Sequence, residues 1–274
     1  MGTKSTIFTE QVSRKPNRYP WTDQFIEAMH NGFWTDKEFS FKSDIQQFKV
    51  ELTDQEREII VRTLSAIGQI EVAVKTFWAK LGENLPHPSL ADLGYVMANV
   101  EVIHNNAYER LLQILGLEDI FEENLKLEWI QGRVKYLRKY TRNEENIHAL
   151  VGIKIINTIR EEHPELFDEE LEERILHEAE EALTAESKIV DWMVNGYKED
   201  GLNADLLKGF IKNRIISSLD QIGFKAPFEV DNDALEATMW FEEELMGNNM
   251  ADFFHTRPTE YSKKNQSFDE EDLF

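Results

Sequence analysis

Cysteine is absent from this chain of 274 residues. A disulfide scaffold, a zinc–thiolate site, an iron–sulfur cluster and a cysteine nucleophile are therefore excluded together. Any metal has to be held by oxygen and nitrogen. Glycine and proline are scarce, at 13 and 7 residues, the prolines sit mostly at segment ends, and no alternating strand pattern exceeds a few residues. The chain reads as almost entirely helical. Positive charge is in deficit: 30 Lys and Arg stand against 52 Asp and Glu, a formal net charge of −22. Nucleic-acid backbones and anionic membrane surfaces would be repelled. No stretch approaches the roughly 18 uninterrupted apolar residues of a membrane span, and no basic-then-apolar leader opens the sequence. The expected address is the cytoplasm. What is present is apolar material, 41% of residues, enough for one large domain or two small ones.

From Met1 to about Lys42 the sequence is aromatic-rich and irregular, and reads as an N-terminal arm with one short helix. Thr53 with Glu56 makes a capping box, and a long periodic segment runs from it to Gly82 as the first core helix. After Pro86-His87-Pro88, Ser89 with Asp92 offers a second cap, and the second core helix runs to Gly116. A charged, amphipathic helix is expected over 119–140, a further core helix over 143–162, and three more segments over 168–195, 203–222 and 231–246. The domain spans 1–247, and 248–274 is a polar tail.

The chemistry lies where the apolar stripes are interrupted. The first core helix reads Ile60, Leu64, Ile67, Glu71, Val74, Trp78 in steps of three and four, with a carboxylate in mid-stripe. The second reads Leu93, Met97, Glu101, His104, Tyr108, Leu111, Leu115, and the 143–162 helix carries Glu145, His148, Gly152, Ile155 and Ile159 in phase. An isolated buried carboxylate costs several kcal/mol, so each needs a proton, an ion partner or a metal. No Lys or Arg lies on these faces. A Glu and a His three residues apart share a helix face and can bind one side of a metal from a rigid platform. Two E-x-x-H pairs facing one another suit two metals, with carboxylate and imidazole favouring iron or manganese. Ferritin-like carboxylate bundles use such a set, completed by one Glu from each of two other helices. The other histidines, His30, His87, His163, His177 and His255, lie in loops or beside charged runs and read as carrying no chemistry, and the Glu-rich stretch 169–186 reads as a solvated face.

With Glu71, Glu101-Val-Ile-His104, Tyr108 and Glu145-Asn-Ile-His148, the chain resembles the small, radical-generating subunit of class I ribonucleotide reductase. The resemblance covers most of the chain. It implies an all-α, ferritin-like bundle with a dinuclear metal site in its core, held by Glu71, Glu101, His104, Glu145 and His148. It implies a homodimer working with a separate large subunit in deoxyribonucleotide synthesis for DNA replication. Phe33-Trp34 is similar to the element that starts the radical path, with Glu144 where Asp is usual as the partner that orients it. Tyr261 matches the relay tyrosine, and Ser267 to Phe274 resemble the peptide that docks on the large subunit. Glu71, where the family often has Asp, together with the Tyr-Ser-Lys-Lys-Asn-Gln-Ser-Phe tail resembles the dimanganese subgroup. There Tyr108 would be a neighbour of the metals and not the radical carrier. Iron, or a mixed manganese–iron pair, and a radical on Tyr108 stay open beside it.

In one respect the chain departs from the family. The family has a further Glu on its own helix between the two E-x-x-H motifs, which here are only 44 residues apart. A bundle helix of about 20 residues spans about 30 Å, leaving no room for one between the motifs, so a core helix is missing near 140/141. Glu128 could substitute only through a hairpin near Tyr136-Leu137, which has no turn chemistry. A longer polypeptide, a deletion and a natural five-donor variant are the three accounts. The first is preferred, because losing a core helix would expose its neighbours' apolar faces. Two rival functions stand beside the reductase: a self-sufficient ferritin-like oxidase or oxygenase, and a metal-poor, non-catalytic partner of the large subunit.

Overall fold

The computed structural model describes residues 5–38, 40–140, 146–197 and 203–239, with the side chains of residues 43, 71, 137–140 and 146–149 excepted. Every regular element among them is helical. The first is α1 (Trp21–Asn31), followed by a 3-10 turn at Asp36–Glu38, the short α2 (Lys42–Gln46) and a π-helical turn at Gln47–Glu51. Before Lys42 the one α-helix among the described residues is thus α1, as expected for the arm, and α2 with the π-helical turn follows that boundary.

The first core helix is three pieces: α3 (Asp54–Ile67), α4 (Ile70–Ala79) and α5 (Leu81–Asn84). Its start agrees with the sequence pattern, since Thr53 and Glu56 form the reciprocal capping box. The break after Ile67 falls where the Phe121 ring packs on Gly68; a β-carbon there would come within 3.2 Å of the ring. The second core helix, α6 (Pro88–Leu115), is continuous. Its cap is not Ser89 with Asp92 but His87, whose ring nitrogen accepts from the Ser89 amide, with Pro88 in the first turn. It ends at Gly116 in the left-handed conformation, φ 73°. The 119–140 segment is two helices, α7 (Glu118–Asn124) and α8 (Glu128–Tyr140), because 125–127 turn the chain. Then come α9 (Asn146–Glu162), α10 (Glu169–Val194) and α11 (Ala204–Gln221), and residues 232–239 are again helical. No helix among the described residues is long and apolar enough to cross a membrane.

The centre is α4 packed on α6, with α1 and α5 also against α6. The two helices approach closely because position 94 is glycine: a β-carbon there would lie 2.5 Å from the Trp78 carbonyl oxygen. Trp78, Leu93 and Met97 are fully buried, joined by Val151 and Ile155 of α9 and by Ile7 and Tyr19 of the arm. Each such aliphatic side chain contributes roughly 1.5–3 kcal/mol on burial. A second cluster, built on Phe48, Val61, Leu112 and Leu115, holds the far end of α6 against α3. Outside this core, α10 packs on α3, α8 and α11.

The arm is fastened to α9 through Glu162. Its carboxylate accepts the Ile7 amide at 2.6 Å and the Tyr19 hydroxyl at 3.2 Å. Burial, then the charge of Glu162 and the bond to it, push the Tyr19 hydroxyl above its ordinary pKa. His87 lies edge-on to the Tyr19 ring, 5.0 Å between centroids, and is 1% exposed. It is a loop histidine with a structural part, the cap of α6. Burial holds its pKa below the usual imidazole value.

Candidate metal centre

Along α6 the two apolar clusters leave a gap. The amino-terminal cluster reaches Val100 and the second takes over at Leu111 and Leu112; Glu101, His104 and Tyr108 occupy the interval. Glu101 is 0% exposed, whereas His104 and Tyr108 are half-buried. Helical spacing brings the His104 Nδ1 within 3.2 Å of the Glu101 carboxylate Oε2. This is an ordinary hydrogen-bond distance; two metal bonds of about 2.1 Å meeting near a right angle would separate their donor atoms by about the same 3 Å, so the spacing is compatible with one shared ion. Its donor types, a hard carboxylate and an imidazole, suit iron or manganese.

Trp34 arrives at the same place from the arm. Its ring centroid lies 5.9 Å from that of His104, with the planes 30° apart. The segment that carries it is held in shape by Glu38, whose carboxylate accepts both the Thr35 amide, at 2.9 Å, and the Thr35 hydroxyl, at 3.1 Å. The structure thus brings together Glu101, His104 and Trp34, residues 67 or more positions apart in the case of the tryptophan.

The remaining sequence-derived candidates are placed less fully. Glu71 lies in α4, the helix packed on α6, and His148 lies in the first turn of α9; their side chains are outside the described residues. Glu144, Glu145 and Tyr261, with the 248–274 tail, lie outside the described residues altogether. Among the described residues no three carboxylate, histidine or cysteine side chains gather into a metal cluster. Glu128 is exposed at the first residue of α8, and α8 runs through 136–137 without a turn, so it does not substitute for a core donor.

Sequence reasoning passed over one residue beside the site. Arg110, six positions after His104 on α6, donates from Nη1 to the backbone carbonyl of Asp36, two residues beyond Trp34. Nothing in the local pattern marks it, because its partner is 74 positions away.

Comparison with known proteins agrees on one family. The family model described as "Ribonucleotide reductase, small chain" matches residues 11–146 and, in a second piece, 139–237. The chain is similar to the ribonucleoside-diphosphate reductase subunit beta of Chlamydia pneumoniae, 21% identical over 313 positions, covering 90% of this chain and 88% of that one. It is also similar to the subunit beta of Halalkalibacterium halodurans, 23% identical over 313 positions, covering 92% and 90%. Among solved structures, the ribonucleotide reductase R2 subunit from Clostridium botulinum superposes with a TM-score of 0.76 over 88% of this chain and 95% of that one, at 19% identity.

Proposed function

The chain belongs to the ribonucleotide reductase small-chain family, and from that premise we propose that it is the oxidant-generating subunit of a ribonucleoside-diphosphate reductase, working with a separate large subunit in deoxyribonucleotide synthesis. The observation that carries this is the fully buried Glu101 with the His104 Nδ1 at 3.2 Å and the tilted Trp34 ring 5.9 Å from the His104 ring. A carboxylate is fully buried between two apolar clusters at a cost of several kcal/mol, and a metal offsets that cost.

The metal ligands in this reading are Glu71, Glu101, His104, Glu145 and His148, in a ferritin-like bundle. Manganese is favoured, with iron or a manganese–iron pair as the alternatives. The bound metals supply a one-electron oxidant; everything else falls to the protein. Glu101 and His104 fix one edge of the site from a single rigid helix turn. The burial of Glu101 keeps water from its carboxylate, which strengthens electrostatic interactions there. Trp34, against the His104 ring, takes the oxidising equivalent outward, with Glu144 as its hydrogen-bond partner. Tyr261 passes it on, while Ser267 to Phe274 dock on the large subunit. Tyr108, one turn beyond His104, is a neighbour of the metals. The protein acts as a homodimer and the nucleotide binds elsewhere.

The five donors match the metal centre in kind and fall one carboxylate short in number. Two observations support a missing segment near 140/141. The family model meets this chain in two pieces that share 139–146, and both relatives align over 313 positions, more than the 274 residues here. Replacing Tyr261 by Phe tests the function: turnover with the large subunit is expected to vanish while metal content and the metal spectrum persist. Retained turnover removes the relay assignment. Metal content near zero after reconstitution with manganese or iron removes the oxidant-generating role and leaves a metal-poor partner of the large subunit.

A further inference from the structure

Trp34 sits on an irregular stretch between α1 and α2, yet its ring is set at a defined distance and tilt from His104. Something has to fix that stretch to α6. Thr35 and Glu38 bond to each other, which stiffens the 35–38 turn internally but does not tie it to α6. The tie is Arg110. Its Nη1 donates to the Asp36 carbonyl oxygen and lies 3.5 Å from the Asp36 carboxylate, while its guanidinium carbon stands 5.6 Å from the centre of the Phe41 ring. One side chain therefore grips the backbone on the far side of Trp34, pairs with a carboxylate there, and stacks on the aromatic ring that leads into α2. Arg110 rises from the same helix as His104, so both ends of the Trp34–His104 distance are referred to one rigid body.

We infer that Arg110 is the positioning residue that sets the Trp34 indole against the His104 imidazole. The inference rests on the reading of Trp34 as the outlet for the oxidising equivalent, although the clamp itself is a statement about geometry. A planar guanidinium suits such a clamp, because it offers several donors in a fixed fork and stacks on a ring at the same time, whereas a lysine presents a point charge and does neither. Arg110 bonds to Asp36 and stacks on Phe41, away from the Glu101–His104 pair. Removing the clamp should therefore displace the tryptophan and leave the metal edge in place.

The experiment uses the metal-free 274-residue chain grown with 5-fluorotryptophan. Six tryptophans give six fluorine resonances, and loss of one in Trp34→Phe assigns Trp34. In Arg110→Ala the Trp34 line is expected to move toward the position of free 5-fluorotryptophan in water, with the other five in place and Tm nearly unchanged. Arg110→Lys should not restore it. An unmoved Trp34 line in Arg110→Ala overturns the inference. If all six lines move, the variant has lost its fold, and the milder Phe41→Leu decides: a selective shift of Trp34 supports the clamp and an unmoved line overturns it. A second readout reaches the function. Displacing a reacting group by about 1 Å costs on the order of 100-fold in rate, so metal-loaded Arg110→Ala should lose about that factor in turnover with the large subunit while holding as much metal as the parent. If the parent shows no turnover with any large subunit, the reductase reading fails, and the fluorine shift still settles the clamp.

Discussion

Two long helices of this chain each pair a glutamate with a histidine, and the pairs mean different things. On α6, Glu101 and His104 stand 3.2 Å apart, with side chains 0% and 18% exposed. On α10, His177 and Glu181 stand 3.7 Å apart, with side chains 64% and 45% exposed. The exposed pair is screened by water and contributes at most a few tenths of a kcal/mol. The buried pair costs stability unless something else repays it. Glutamate is far commoner on α10, where eight occur against two on α6, so abundance of carboxylate is no guide to where the chemistry is. The guide is whether the carboxylate interrupts an apolar stripe.

The comparison breaks most visibly on metal loading. Glu101→Ala removes a ligand in the proposed site, and Glu181→Ala removes a surface charge. Losing an outer partner of a ligand already costs about 10- to 100-fold in affinity. Manganese or iron affinity of Glu101→Ala should therefore fall by more than about 100-fold, and that of Glu181→Ala should stay as it was. Equilibrium dialysis with metal analysis reads both, and equal affinities for the two variants would end the functional distinction between the helices.

The same contrast should appear with opposite sign in stability. Replacing a buried ionic pair by apolar side chains of similar volume is often neutral or stabilising by about 1–4 kcal/mol. Replacing both Glu101 and His104 by Leu is thus expected to make the metal-free protein more stable by about 1–3 kcal/mol in chemical denaturation, and replacing both His177 and Glu181 by Leu to change it by less than about 0.5 kcal/mol. A destabilised double variant on α6 would mean that the pair is part of the fold and not a concession to function.

The amino-terminal caps carry the comparison into pH. The α6 cap is His87, buried at 1% exposure, and burial lowers its pKa in the folded protein. As pH falls through the ordinary imidazole value, about 6.5, the unfolded chain takes up a proton that folded His87 resists. Acidification therefore drains stability, and the slope of stability against pH is positive in that window. Replacing His87 by Asn, which can still cap a helix, should flatten this slope between about pH 5 and 6.5. Thermal melts of the two proteins across that range measure it; parallel curves would show that the loss comes from elsewhere.

Much of this was legible from sequence alone, for a physical reason. Helices reveal themselves by period, and polar residues at Glu71, Glu101, His104 and Tyr108 were conspicuous because they interrupt it. The start of α3 and the end of α6 were also readable, since Thr53 with Glu56 and the left-handed Gly116 are local devices. What escaped depends on residues distant in sequence. The break after Ile67 answers to Phe121, the burial of His87 to Tyr19, and the hold on Trp34 to Arg110, each more than 50 positions away from its counterpart. No window of ten or twenty residues contains both partners. Trp34 itself was singled out through family resemblance; its approach to His104 required the fold.

The smallest expected effect concerns the α10 cap, and it separates the two helices one last time. Asp168 accepts the Leu171 amide at 2.9 Å and meets one of the unsatisfied donors of the first turn. It is exposed, so water can replace it, and Asp168→Ala should cost about 1 kcal/mol, as exposed caps do. His87 caps from inside the protein, where no water waits to take its place, and it also packs on Tyr19. Removing its ring in His87→Ala should cost clearly more than the exposed cap, because a buried donor and a cavity are left behind together. Urea unfolding of both variants gives the ranking. Equal costs would mean that α6 is held by its packed face alone, and that its buried cap adds no more to stability than the exposed one on α10.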